Sequence, residues 1–159
     1  MKKISIILLS LVMGMMLTVN AQAPYKHSIG ATVLSFNGVS YKTFLTDNLA
    51  LSVDAGFKWT VPQYAGFCYT GEVNPNIMYE ANTGANGLYW FAGGGLSLGG
   101  WAGYGKFGVN AIGGIEYKFN IPLTIQADLR PGFGLAFGYG GSFPYFDWGL
   151  CFGIRYTIN

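Results

Sequence analysis

The chain has 159 residues, of which 51% are hydrophobic, 17% are aromatic and only 10% are charged. Soluble domains carry about 25% charged residues, so this composition argues against an ordinary soluble domain with a water-facing surface. The formal net charge is only +2, which excludes the strongly basic surface that nucleic-acid-binding proteins use.

The first 21 residues have the layout of a secretory signal peptide. Two lysines precede an apolar run over residues 4–17, and a cleavage context ends at Ala21. The apolar run is shorter than the ~20 residues that a membrane-spanning helix needs. We therefore expect residues 1–21 to be a cleaved signal peptide and residues 22–159 to form one exported domain.

Downstream of residue 21 the chain has no helical periodicity, and turn-forming residues divide it into about eight candidate strands. Several of them reach or exceed the roughly 9–11 residues that a tilted membrane strand uses. The predicted strands cover residues 28–35, 38–46, 48–59, 67–80, 88–99, 106–119, 122–138 and 144–158. The predicted connections are 46–48, 81–86 and 120–122 at one end, and 36–38, 60–66, 99–106 and 138–145 at the other.

Apolar and polar side chains alternate along most of these candidates. In the third strand, Val53 and Phe57 share the apolar face, while Asp54 and Lys58 share the polar face. Only helices and closed barrels satisfy their backbone groups in a bilayer, and apolar-out, polar-in alternation is the pattern of an outer-membrane barrel. The sequence therefore predicts an all-β fold: a transmembrane, up-and-down antiparallel β-barrel of about eight strands. Short turns and both termini would face the periplasm.

Aromatic residues cluster near both sets of strand ends, as membrane-interface girdles require. The set near the outer ends is Trp59, Tyr69, Phe137, Phe146 and Trp148. The set near the periplasmic ends is Tyr79, Trp90, Tyr117, Phe119 and Tyr156.

Nearly all charges of the mature chain fall on the polar face. Without the two signal-peptide lysines, the chain has seven charges of each sign, so each buried charge can have a partner, as its desolvation demands. We predict an ion-pair network that fills the lumen, with Arg130 and Arg155 as central forks near Asp128 and Asp147. Its predicted members are Lys42, Asp54, Lys58, Glu72, Glu80, Glu116, Lys118, Asp128, Arg130, Asp147 and Arg155. The alternative is a water-filled polar lining that conducts.

The residues offer little for catalysis, cofactors or metals. The single histidine, His27, is followed by Ser28 at the periplasmic start of the first strand, with no acid to orient it. Cys68 and Cys151 both point inward, but from the fourth and eighth strands, which are opposite in the ring. A disulfide needs Cα atoms within about 7 Å, so we expect none. We predict no catalytic, cofactor-binding or metal-binding residues.

Two segments carry a resemblance to a known class. The hairpin FNIPLTIQADLRPG and the closing strand YFDWGLCFGIRYTIN make the chain similar to small eight-stranded outer-membrane proteins of Gram-negative bacteria, the OmpA-transmembrane/OmpX-like class. The resemblance implies a non-enzymatic, monomeric barrel in the outer membrane with a structural or surface-interaction role. Its partners would be outer-membrane lipid and, during insertion, the barrel-assembly machinery, with no nucleic acid and no cofactor. The surface ligand stays open, as do two alternatives: a small porin-like channel and, more distantly, a lipid A-modifying enzyme.

Overall fold

The computed structural model describes residues 24–60, 68–101, 103–138 and 141–158, without the side chains of Thr60, Cys68 and Trp101. The predicted signal peptide and most of the predicted connection at 60–66 therefore lie outside the described residues. Ten β-strands follow one another: β1 (His27–Leu34), β2 (Phe36–Phe44), β3 (Leu49–Thr60), β4 (Cys68–Asn82), β5 (Leu88–Trp101), β6 (Tyr104–Lys118), β7 (Leu123–Leu129), β8 (Gly132–Gly138), β9 (Gly141–Asp147) and β10 (Leu150–Ile158).

The strands form a closed antiparallel barrel. Consecutive strands pair from β1 to β6, and β6 then pairs with both β7 and β8. The ring closes between β1 and β10, with His27 opposite Ile158 and Leu34 opposite Cys151. Because β7 continues into β8 and β9 into β10, ten segments make eight barrel strands, and the predicted all-β, up-and-down architecture is confirmed. Within the described ranges, no helix is long and apolar enough to cross a membrane.

The seventh barrel strand is interrupted at Arg130 and Pro131, where the proline cannot donate a ladder hydrogen bond. The interruption is nonetheless bonded on both sides, since Arg130 N donates to Gly149 O at 2.8 Å and Ala111 N donates to Pro131 O at 2.9 Å. The eighth strand is interrupted beside it, at 148–149. The in-and-out alternation continues through both interruptions, so the inner face of each strand stays continuous.

The barrel is inverted relative to a soluble protein, because its charges lie inside and its large apolar side chains outside. In β10, Ile154 is 58% exposed whereas the neighbouring Arg155 is 1% exposed. The same alternation runs through β3, β4, β6 and β7. The low charge content of the sequence thus reflects an outer face built almost entirely from apolar residues.

Side chains fill the interior, as expected for eight strands. Near the end at which β1 begins and β10 ends, a small apolar layer crosses the lumen, formed by Ala50, Met78, Phe91 and Ile112 with Phe44 packed against it. Small residues let the wall close around such groups. Gly38 and Gly56 are paired across β2 and β3, and a Cβ on either would lie 2.6 Å from the Cα of the other.

Three predicted connections are corrected by the strand ends. Residues 36–38 belong to β2, and the first hairpin turns instead around Leu34, whose φ is +84°. The connections predicted at 99–106 and 138–145 are shorter, because β5 runs to Trp101, β6 begins at Tyr104 and β9 begins at Gly141. Extended ladders satisfy backbone groups that longer loops would leave to solvent.

Candidate functional site in the barrel lumen

The lumenal charges form three clusters along the barrel axis. We call the end at which β1 begins and β10 ends the terminal end and the opposite end the distal end. The terminal cluster comprises Lys42, Glu80, Glu116 and Arg155. The central cluster comprises Asp54, Asp128 and Arg130. The distal cluster comprises Lys58, Glu72, Lys106 and Asp147.

Lys42 is the centre of the terminal cluster. Its Nζ bonds Glu80 and lies 3.1 Å from Glu116 Oε2, and these three side chains are at most 1% exposed. Arg155 Nη1 lies 3.3 Å from the same Glu116 oxygen. Glu116 is therefore held by two cations, which offset the cost of burying its charge.

Tyr25 closes the terminal cluster from outside the strands. It precedes β1, is buried, and donates from its hydroxyl to Glu116 Oε1 at 2.7 Å. Burial, followed by the nearby Glu116 carboxylate, raises the pKa of the Tyr25 hydroxyl, so the hydroxyl stays protonated as a donor. Its ring packs edge-on against Phe44 at a centroid distance of 5.2 Å. The segment before β1 thus seals the terminal mouth of the lumen.

Arg130 is the centre of the central cluster. It donates from Nε to Asp128 Oδ1 at 2.5 Å and from Nη1 to Asp54 Oδ2 at 2.6 Å. The ring of Phe36 lies 5.9 Å from its Cζ. Gln126 joins this cluster to the terminal one, because its amide donates to Asp128 Oδ2 at 2.5 Å and accepts from Arg155.

The distal cluster is a chain of alternating charges. Lys106 Nζ lies 2.5 Å from Glu72 Oε1 and 2.7 Å from Asp147 Oδ2. Lys58 Nζ lies 2.8 Å from Asp147 Oδ1. The ring of Tyr145 lies 4.3 Å from Lys106 Nζ, within cation–π range. Two cations and two carboxylates thus neutralise one another near the distal mouth.

Ten of the eleven residues predicted for the network lie in these clusters. The exception is Lys118, which donates to the carbonyls of Phe119 and Ile121 at 2.7 and 2.9 Å. Its position at the end of β6 lets the flexible side chain turn back to the orphan carbonyls of the 119–122 turn. Lys118 therefore caps a turn and does not join the lumenal network.

The predicted partners of the two arginines are also corrected. Arg130 engages two carboxylates as predicted for a fork, whereas Arg155 bonds one carboxylate, Glu116. Asp147 is bound by Lys58 and Lys106 in the distal cluster, away from both arginines. Asp147 lies opposite Gly132, two positions beyond Arg130 towards the distal end, and the Arg130 side chain bonds Asp128 and Asp54 instead.

Sequence reasoning missed Lys106 because it stood where the predicted connection 99–106 met the predicted strand 106–119. Lys106, Gly108 and Asn110 share one face of that strand. It also missed Tyr25, for which the sequence carries no signal, since its role depends on where the segment before β1 folds.

A small cavity separates the central and distal clusters. Its volume is about 10 Å³, and its lining includes Lys58, Asn74, Asn110 and Arg130. This is about the space that one water molecule needs. Side chains therefore leave room for about one water molecule in this cavity.

The candidate His27–Ser28 pair is split across the barrel wall. His27 Nδ1 lies 3.0 Å from Tyr41 Oη and 3.0 Å from Thr43 Oγ1 on the outer face. Ser28 is fully buried on the inner face. Neighbouring strand residues point to opposite faces, so this histidine cannot activate this serine.

Cys151 is a buried free thiol on the inner face of β10. The side chain of Cys68 lies outside the described residues. The prediction that Cys68 and Cys151 form no disulfide therefore also falls outside them. Over the part of the chain that the structure describes, no group of three or more His, Cys, Asp and Glu side chains is arranged to hold a metal ion.

No protein-family model and no curated protein matches the chain. Its function is therefore inferred from the closed barrel, its apolar outer face and its charged interior.

Proposed function

We propose that residues 22–159 form an integral outer-membrane barrel of a Gram-negative bacterium, similar to the OmpA-transmembrane/OmpX-like class. Residues 1–21 direct its export and are cleaved, and the barrel-assembly machinery inserts the mature chain as a monomer. Its role is structural or in surface interaction, it catalyses no reaction, and its lumen is closed by side chains.

The observation that carries this proposal is the inverted distribution of polar and apolar side chains. Large apolar side chains around the ring, such as those of Val39, Phe107 and Ile154, are at least half exposed. Contiguous apolar surface of this extent is unfavourable in water and favourable in lipid. The aromatic pairs Trp59–Tyr69 and Tyr79–Trp90 lie near opposite strand ends, which supports two interface girdles.

The packing of the lumen favours a structural role over a channel. Three clusters of paired charges, the apolar layer and the Tyr25 side chain follow one another along the axis. An ion crossing this interior would have to break several buried ion pairs, each costly to separate.

A small channel is the second candidate, and one observation favours it. Between the central and distal clusters, the neutral polar side chains of Asn74, Ser97 and Asn110 line the small cavity beside Lys58 and Arg130. Rearranged side chains at this level would leave a hydrated path. A lipid A-modifying enzyme is a more distant alternative, and the divided His27 and Ser28 give it no support.

Fractionation and conductance test the proposal together. The mature protein expressed in a Gram-negative host should be found with the outer membrane, and unboiled samples should migrate differently from boiled ones. In planar bilayers the protein should produce no steady openings. Recovery in the soluble periplasm would contradict the membrane location, and steady openings would favour the channel.

A further inference from the structure

The central cluster carries more negative than positive charge. Arg130 is its one cation, whereas Asp54 and Asp128 are both buried carboxylates. The distal cluster has no charge to spare, because its two lysines are matched by Glu72 and Asp147. The two clusters that border the small cavity therefore hold three cations and four carboxylates. A buried charge without a partner is costly, and one further positive charge would offset this excess.

Three buried oxygen atoms at this level accept no hydrogen bond from the described part of the chain. They are the Oδ1 atoms of Asp54, Asn74 and Asn110. Asn74 and Asn110 line the cavity, and Asn74 is only 6% exposed. Asp54 is fully buried and lies directly opposite Asn74 in the β3–β4 ladder, where side chains on one face are about 5 Å apart at Cβ. Carboxylate and amide oxygens are the ligands that hard cations prefer.

The two cationic side chains in the cavity wall are already engaged. Nε, Nη1 and Nη2 of Arg130 all donate to the two aspartates of the central cluster, and Lys58 Nζ lies 2.8 Å from Asp147 Oδ1. The amide of Asn110 is also oriented, because its Nδ2 donates to Asn76 Oδ1 at 2.5 Å. The unpartnered oxygens are therefore left for a ligand, and a cavity of about 10 Å³ admits one no larger than a water molecule.

We propose that this cavity binds one small monovalent cation of the size of Na⁺. Asn74 Oδ1 and Asn110 Oδ1 bind the ion, and the carboxylate of Asp54 neutralises it, so that the two clusters reach an equal number of charges of each sign. A divalent ion would leave an excess positive charge, and Ca²⁺ takes about 6–8 oxygen ligands. The inference depends on the closed barrel and not on the outer-membrane location.

Unfolding at constant ionic strength tests the site. The mature barrel is folded in a zwitterionic detergent and unfolded with urea in NaCl, or in mixtures in which N-methylglucamine chloride replaces NaCl. N-methylglucamine is an organic cation far larger than the cavity. A ligand that binds only the folded state stabilises it by mass action. Once Na⁺ exceeds its dissociation constant, the ratio of folded to unfolded protein should therefore rise about tenfold for each tenfold increase in Na⁺.

Two substitutions separate the charge from the oxygen ligands. Asp54→Asn removes the excess charge and keeps an oxygen for Arg130 Nη1. It should abolish the dependence on Na⁺, and in N-methylglucamine it should be at least as stable as the unsubstituted barrel. Asn110→Leu removes one oxygen ligand without changing the charge. It should weaken the apparent affinity for Na⁺ by about tenfold or more, the cost seen even for groups that only support metal ligands.

Thr124→Val is the matched control. The Thr124 hydroxyl is also buried and has no partner among the described residues, but Thr124 does not line the cavity. Its replacement should leave the dependence on Na⁺ unchanged.

Each contrary result has a distinct meaning. Equal stability in the two salts would overturn the cation site and assign the cavity to water. A dependence on Na⁺ that persists in Asp54→Asn would also overturn it, because the ion would then act elsewhere. If Asp54→Asn does not fold, Asn110→Leu decides, and an unchanged affinity for Na⁺ in that variant contradicts the site. All of these results are independent of the outer-membrane location, which fractionation tests separately.

Discussion

Arg130 Nη1 lies 2.6 Å from Asp54 Oδ2, although the two residues are 76 positions apart. They belong to the third and seventh barrel strands, which are diametrically opposite in a ring of eight. With Asp128 on the same side as Arg130, the guanidinium joins both halves of the wall through the middle of the lumen.

Arg130→Ala should therefore destabilise the barrel by about 3–5 kcal/mol, because Asp54 and Asp128 would stay buried without their cation. The free energy of unfolding in lipid vesicles, measured by urea titration with gel mobility, checks this value. Lys118→Ala is the control, since Lys118 bonds only turn carbonyls, and it should be mild. Unchanged stability of Arg130→Ala, combined with new conductance, would support the channel and contradict the filled lumen.

Leu129→Arg should cost about 2–4 kcal/mol, the penalty of a cation on the lipid face near the midplane. Leu129 is 54% exposed and lies on the outer face of β7. Ile121 is 59% exposed but lies in a turn at the terminal end, so Ile121→Arg should cost only about 0–1 kcal/mol. Equal costs at the two depths would argue against a bilayer around the barrel.

Tyr25→Phe removes the hydroxyl that donates to Glu116 Oε1. The expected loss of stability is about 1.5–3 kcal/mol, as for other hydrogen bonds to charged groups. Tyr41→Phe is matched in chemistry, but its hydroxyl bonds His27 on the exposed outer face, so its effect should be smaller. The same urea titration compares the two, and a larger loss for Tyr41→Phe would contradict the sealing role of Tyr25.

Gly56→Ala should destabilise the barrel by about 1–3 kcal/mol, the usual range for overpacking. A Cβ at this position would lie 2.3 Å from Asn37 O and 2.6 Å from Gly38 Cα, and backbone cannot move aside as a side chain can. At Gly113 the nearest atom to a new Cβ is 3.7 Å away, so Gly113→Ala should be neutral. Thermal gel-shift midpoints of the two variants measure the difference.

Much of the fold could be read from the sequence because strand alternation is a local property. Residues two apart share a face, so Asp54, Lys58 and Arg155 could be assigned inward without knowing any neighbouring strand. The number of barrel strands could also be predicted, because turn-forming residues mark where each strand ends. Lys106 was missed because it lies where the predicted connection 99–106 meets the predicted strand 106–119.

The tertiary structure decided which inward residues meet, because partners depend on ring closure and strand register. From alternation alone, Gln126→Ala would be mild, yet Gln126 bonds both Asp128 and Arg155. Asp147 was expected near the arginines, but it lies distal to both and pairs with Lys58 and Lys106. Period-two patterning determines the face of each side chain. Only the closed ring determines its height in the lumen and the charge that it opposes.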